Sequence, residues 1–139
     1  MADVLVIGGG AAGMMAAIFA ARAGGDVTLL EHNEKLGKKI YITGKGRCNL
    51  TNDCDRETFF ANVPTNPKFL YSAISAFSPA DTKAFFERLG LELKTERGRR
   101  VFPASDRALD VVLVLERRLA ELGVKRRKTA DRESGAALG

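Results

Sequence analysis

The run Val4-Leu5-Val6-Ile7 is continuously apolar, the pattern of a parallel strand buried on both faces. Three glycines, Gly8, Gly9 and Gly10, end it. Residues 11–23 are rich in alanine and carry Met14, Met15, Ile18 and Phe19. They predict a helix that is apolar nearly all round and therefore largely buried. Gly24-Gly25 stop it, and Asp26 leads into Val27-Thr28-Leu29-Leu30-Glu31, a second strand. Strand, helix and strand make a βαβ unit of about thirty residues, whose crossover is expected to be right-handed.

The middle of the chain is less regular. Ile40-Tyr41-Ile42 is a short extended or helical piece before a glycine-containing loop, and residues 67–77 read as a helix. Ser78 looks like an N-cap with Pro79 at the first helical position of a helix ending at Gly90. Leu91-Glu92-Leu93-Lys94-Thr95 alternates like a strand. Arg97-Gly98-Arg99 reads as a turn, with Val101-Phe102 returning as a second strand. Ser105 can cap a helix over residues 106–122, whose apolar positions Leu109, Val112, Leu113, Leu115, Leu119 and Leu122 keep roughly helical spacing. A third parallel strand is due at Val124, but Lys125-Arg126-Arg127-Lys128 has no apolar alternation. Residues 125–139 are therefore expected to be an irregular basic tail, and the sheet to be incomplete within this chain.

The 139 residues suit one domain, and 45% hydrophobic with 28% charged residues argues against wholesale disorder. No apolar run approaches the length of a membrane span, about 18 residues, and the glycine-rich start lacks the basic region of a signal peptide. Two cysteines are too few for a disulfide framework, so a cytoplasmic location is expected. The net charge of +5 hints at nucleic acid. Much of the excess sits in residues 124–139, which hold five basic and two acidic residues; a solvated tail is the plainer reading than an RNA-binding arm.

Candidate chemistry begins at the first turn. Gly8, Gly10 and Gly13 satisfy G-x-G-x-x-G between a buried strand and a helix, the context that gives this pattern meaning. Gly8 permits the tight turn, Gly10 lets backbone approach a pyrophosphate, and Gly13 lets the helix pack on the strand. With Ala11 and Ala12 they open the helix whose free N–H groups would hold that anion. Glu31, at the end of the second strand, can accept ribose hydroxyls and repel a 2′-phosphate; His32 beside it reads as an adenine-side or surface residue. Gly44-Lys45-Gly46 lacks the Ser or Thr of a P-loop. The fingerprint alone does not separate FAD from NAD. Its N-terminal position, and its extension through Ala17 and Gly24, resemble the FAD-binding fold of two-dinucleotide-domain flavoproteins.

A second motif runs from Lys35 through Gly37-Lys38-Lys39 and Thr43-Gly44-Lys45-Gly46-Arg47-Cys48-Asn49 to Asn52. Gly44 and Gly46 let main chain come near a ring or phosphate. Lys38 and Arg47 can neutralise phosphate charge, and Asn49 offers donor and acceptor to a polar ring edge. Thr43, Thr51 and Asn52 can tie the loop to itself. A basic structural loop without a ligand explains the same residues equally well. Cys48 and Cys54 lack C-x-x-C spacing, so Cys48 reads as a small packed or flavin-side residue. Arg99, Arg100, Phe102 and Pro103 are candidates to shape a pocket, with core packing the equal alternative for Phe102. No metal site is expected, and no residue stands out as a catalytic acid.

The segment Lys35 to Asn52, together with Gly98-Arg99-Arg100-Val101-Phe102-Pro103-Ala104-Ser105-Asp106-Arg107-Ala108, resembles the BaiN/RdsA-type (YhiN-like) family of NAD(P)/FAD-dependent oxidoreductases. The resemblance spans about residues 3–124, with Lys38 where arginine is usual and Lys45 where a small residue is usual. It implies an α/β, Rossmann-like FAD-binding fold. Residues 1–124 would form the N-terminal part of the FAD/NAD(P)-binding domain, with the inserted second domain and the C-terminal part lying outside this chain. It implies bound FAD, contacts from Gly37, Lys38, Lys39, Thr43, Gly44, Gly46, Arg47, Cys48 and Asn49, and NAD(P)H as electron donor. The implied reaction is reduction of a conjugated C=C bond in a small molecule or in an RNA uridine. An NAD-binding dehydrogenase and a nucleic-acid-binding protein using the basic tail remain the alternative readings.

Overall fold

The structure is a computed structural model that describes residues 2–129. The chain divides into two compact units, residues 2–40 with 115–129, and Tyr41–Val114.

In the first unit, β1 (Asp3–Ile7), β2 (Asp26–Glu31) and β6 (Lys125–Lys128) form a parallel sheet in the order β1-β2-β6. Asp3 to Ile7 register with Asp26 to Leu30, and Thr28 to Glu31 with Lys125 to Lys128. Helix α1 (Ala11–Arg22) connects β1 and β2 and buries Met14, Ala17 and Ile18. It stops where Gly24 takes a left-handed φ of 94° and its N–H, with that of Gly25, closes onto the last turn.

Two expectations fail here for one reason. Leu5 and Ile7 are 59% and 79% exposed, so β1 is not buried on both faces, and α1 leaves Phe19 40% exposed. A parallel strand is covered on both faces only when layers lie on each, and α1 supplies one. A third expectation fails differently. Residues 125–128 are not irregular but form β6, every residue of it exposed. Backbone pairing with β2 needs no apolar side chain, and the cations find partners: Lys125 lies 3.4 Å from Asp26, Arg126 3.5 Å from Glu116, and Lys128 3.8 Å from Glu34. Charged side chains, lysine above all, are common on edge strands. The rest of the expected tail, residues 130–139, lies outside the described residues.

The second unit carries an antiparallel sheet in the order β3-β5-β4, from β3 (Thr51–Asn52), β4 (Leu93–Glu96) and β5 (Arg100–Pro103). Val101 faces Thr51 on one side and Thr95 on the other. The predicted helix at residues 67–77 divides into a 3-10 turn, Pro67–Leu70, and α3 (Tyr71–Ala76). Helix α2 (Arg56–Ala61) was not expected; its signal is Asp55, whose carboxylate accepts from the Thr58 N–H at 2.7 Å. Helix α4 (Pro79–Arg88) has the expected Ser78 cap as a full capping box with Asp81, and buries Phe85 and Phe86.

Helix α5 (Ala108–Glu121) runs from the second unit into the first. Its buried stripe is Ala108, Val111, Val112, Leu115 and Leu119, while Leu113 is 48% exposed. Val112, Leu115 and Leu119 of the predicted stripe are buried; Ala108 and Val111 join them, and Leu109 and Leu122 are half-buried. Replacing Ser78 by Ala removes the hydroxyl that accepts the Asp81 N–H at 3.1 Å and leaves the backbone N–H to the Asp81 carboxylate in place; it is expected to lower stability by about 1 kcal/mol in urea unfolding.

Candidate dinucleotide-binding site

In the first unit the fingerprint is built on backbone-to-backbone contact. Gly8 has φ +102°, a conformation that L side chains rarely adopt, and its N–H donates to the Leu30 carbonyl at 2.7 Å. A Cβ on Gly13 would overlap the Gly8 carbonyl oxygen and lie 2.9 Å from the Gly8 carbonyl carbon. Helix α1 therefore meets the end of β1 with no side chain between them. A Cβ on Gly9 would overlap the Leu36 side chain and come 3.3 Å from Glu31 Cβ.

Gly10 differs: a Cβ there would meet nothing within 4 Å. Gly10 is the N-cap of α1, with extended backbone and no side-chain cap, and the first bond of the helix is Met14 N–H to its carbonyl at 2.9 Å. The preceding N–H groups have no acceptor within the helix and stand at its positive end. Gly10, Ala11 and Ala12 are exposed. An open bend lined by backbone donors and free of side chains fits a pyrophosphate.

Glu31 ends β2, and its side chain is only 11% exposed. Asn33 donates to one carboxylate oxygen at 3.4 Å, and His32 Nδ1 lies 3.8 Å from the other. His32 itself is 67% exposed. The Gly37 N–H donates to the Gly9 carbonyl at 2.7 Å, tying the next loop to the turn; Lys38 and Lys39 follow on it, both exposed. The first unit thus gathers Gly8, Gly10, Ala11, Ala12, Gly13, Glu31, His32, Gly37, Lys38 and Lys39.

Thr43, Gly44, Gly46, Arg47, Cys48 and Asn49 belong to the second unit. Gly44 and Lys45 are both left-handed, and Gly46 has φ 84°. A Cβ on Gly44 would lie 2.8 Å from the Asn49 nitrogen and 3.1 Å from the Phe102 ring, so the loop closes tightly on itself. Cys48 is buried, and its N–H donates to the Thr43 carbonyl at 3.0 Å. Burial pushes its thiol pKa up, opposed by a hydrogen bond with Thr43, as suits a packed residue. The Asn49 amide nitrogen faces the carbonyls of Thr51 and Val101, at 3.0 and 3.2 Å, so its donor side is directed to the neighbouring backbone.

Arg47 does not offer the free cation expected of a phosphate contact. Its guanidinium pairs with Glu96, donates from Nε to Asp106 at 2.7 Å, and lies 4.0 Å from the Phe102 ring centroid. Lys94 closes the cluster, 2.6 Å from Asp106 and 3.6 Å from Glu96. The bonds from Lys94 and then Arg47 hold the Asp106 carboxyl below the ordinary carboxylate range, and the Arg47 bond does the same for Glu96. Phe102 is 2% exposed and packs in the core. Nothing local marks Glu96 and Lys94 in the sequence; Asp106 lies in the Gly98–Ala108 stretch, but its partner Arg47 is 59 residues away.

The HI0933-like protein Rossmann domain family matches residues 2–135. This chain belongs to that family. The match continues past residue 124, where the family pattern was expected to stop. The 3-dehydro-bile acid delta(4,6)-reductase of Clostridium scindens is 44% identical over 122 residues, 86% of this chain and 29% of that protein. The ribosomal RNA dihydrouridine synthase of Escherichia coli is 40% identical over 79 residues, 57% of this chain and 19% of that protein. The chain therefore spans less than a third of these relatives. The crystal structure of Thermovibrio ammonificans THI4 superposes with a TM-score of 0.60 at 13% identity, over 91% of this chain and 38% of that one, a likeness of fold. The chain is thus a Rossmann domain of that family. Among the described residues, no helix is long and apolar enough to cross a membrane.

Gly13→Ala is expected to force α1 off β1 and to lower the thermal stability of the domain, by about 3 kcal/mol. The charge cluster sets an acid dependence. Glu96 and Asp106 have folded pKa values below their ordinary 4.5 and 3.8, so their contribution is present above those values and is lost as pH falls through the folded ones. Urea midpoints should therefore drop below about pH 4, and drop less in Asp106→Asn.

Proposed function

We propose that this chain is the adenosine-diphosphate-holding part of an FAD-dependent oxidoreductase that reduces a conjugated C=C bond, with NAD(P)H as electron donor. The observation that carries this reading is the open bend at Gly10, with Glu31 beside it, in a chain 44% identical over 122 residues to a named C=C reductase. The exposed backbone around Gly10, Ala11 and Ala12 binds the pyrophosphate through N–H donors and the helix dipole. Gly13 and Gly8 keep those donors in place by holding helix on strand. Glu31 accepts hydrogen bonds from the adenosine ribose, and its charge discriminates against a 2′-phosphate there. Lys38 and Lys39 add positive charge on the loop tied to Gly9. When bound, FAD supplies hydride transfer at its ring system, while the protein contributes placement and electrostatics.

For the substrate, a small molecule with a double bond conjugated to a carbonyl is the preferred class, ahead of a uridine in RNA. The reductase aligns with 86% of this chain and the RNA enzyme with 57%, and Lys125, Arg126 and Lys128 already face carboxylates. A reducing cytoplasm suits the free thiols Cys48 and Cys54.

The purified chain titrated with FAD is expected to bind it, to turn yellow, and to release FAD on denaturation. FAD is expected to raise its melting temperature more than NAD does. Glu31→Ala should weaken FAD by about 1–3 kcal/mol, as for hydrogen bonds to a charged group. A chain that stays colourless and gains no thermal protection from FAD rules the reading out.

A further inference from the structure

We propose that Arg47 is a positioning residue: it latches the loop of residues 43–49 to the turn at Asp106, so that the two separated sequence motifs work as one piece. The loop needs such a restraint. Lys45 and Cys48, both with L side chains, sit at φ 56° and 60°, and Asp106 across from them is also left-handed at φ 60°. Strained residues persist only where their surroundings over-determine them. The Arg47 fork supplies that, with Nε on Asp106, a terminal nitrogen on Glu96 and its face on the buried Phe102 ring. Lys94 bonds the same two carboxylates from β4.

The partners come from three places in the chain: Arg47 from the first motif, Lys94 and Glu96 from β4 or its end, and Phe102 and Asp106 from β5 and the turn after it. Within this frame the Cys48 N–H reaches Thr43, the thiol is buried, and the Asn49 amide nitrogen faces Thr51 and Val101. Each charged side chain is roughly a third exposed, so no single pair is strong; the convergence of two cations and two carboxylates makes the latch. A lysine at position 47 would keep the charge and lose both the fork and the stacking plane. The proposal deepens the cofactor reading by assigning the second motif's arginine to loop geometry, and it rests on that reading only for a parallel flavin titration.

Cys48 reports on the loop directly. In a Cys54→Ser background it is the only thiol in the chain, and its reaction with dithiodipyridine is followed against urea. Arg47→Gln and Asp106→Asn should each speed labelling by about fivefold in the absence of urea, the size expected when exposed ion pairs are lost. The increase should show little urea dependence, as a local opening does. The double variant should gain clearly less than the sum of the two single effects, since both remove the Arg47–Asp106 bond. Arg47→Lys should fall between parent and Arg47→Gln, and carries the test if the Gln variant fails to fold. Labelling unchanged in every variant, additive in the double variant, or accelerated only along the global unfolding transition overturns the proposal. FAD uptake by the parent is measured alongside: its failure sinks the cofactor reading and leaves the Cys48 result standing.

Discussion

The first unit depends on one contact, the approach of helix α1 to the end of β1 at Gly13 and Gly8. A single methyl group would prevent it. Because the two backbones touch, the first turn of α1 begins immediately after the strand, with its N–H groups facing an open bend and not a side chain. The same closeness fixes what lies around that bend. Gly9 packs under Leu36 and beside Glu31, and the Gly9 carbonyl receives Gly37. A carboxylate from the neighbouring strand and two lysines from the following loop are thereby attached to one short segment.

The second motif works by the opposite means. Where the fingerprint functions by leaving side chains out, the loop of residues 43–49 is shaped by putting side chains in. Its left-handed residues lie next to a buried phenylalanine and a four-membered charge cluster. The arginine that reads from sequence as a phosphate ligand is satisfied from within. The family match, which covers both motifs, is thus physically intelligible: residues 59 apart are bonded to each other.

The βαβ unit was legible because its signals are local and agree: an apolar run, a glycine turn, an alanine-rich helix, a glycine stop and an acid at the end of the next strand. The Ser78–Pro79 cap was legible for the same reason. Other features were not. The exposure of Leu5 and Ile7 depends on whether a layer covers that face, which a strand's own sequence does not state. The pairing of Lys125–Lys128 with β2 escaped an expectation built on side chains, because parallel pairing is a backbone property. The stripe of α5 was legible in part: Val112, Leu115 and Leu119 are buried and Leu113 is not, because the covered width of a helix depends on what packs against it.

The sequence by itself determined the turn, the helix that follows it, the acid at the strand end and the family, since glycine spacing and capping act over a few residues. Tertiary structure alone decided that Gly10 faces open space while Gly9 and Gly13 are shut in. It also decided that Arg47 answers to Glu96 and Asp106, and that four consecutive cations pair with β2 as a strand. Each of those outcomes depends on atoms brought together from distant positions, and their distances are set only once the chain has folded.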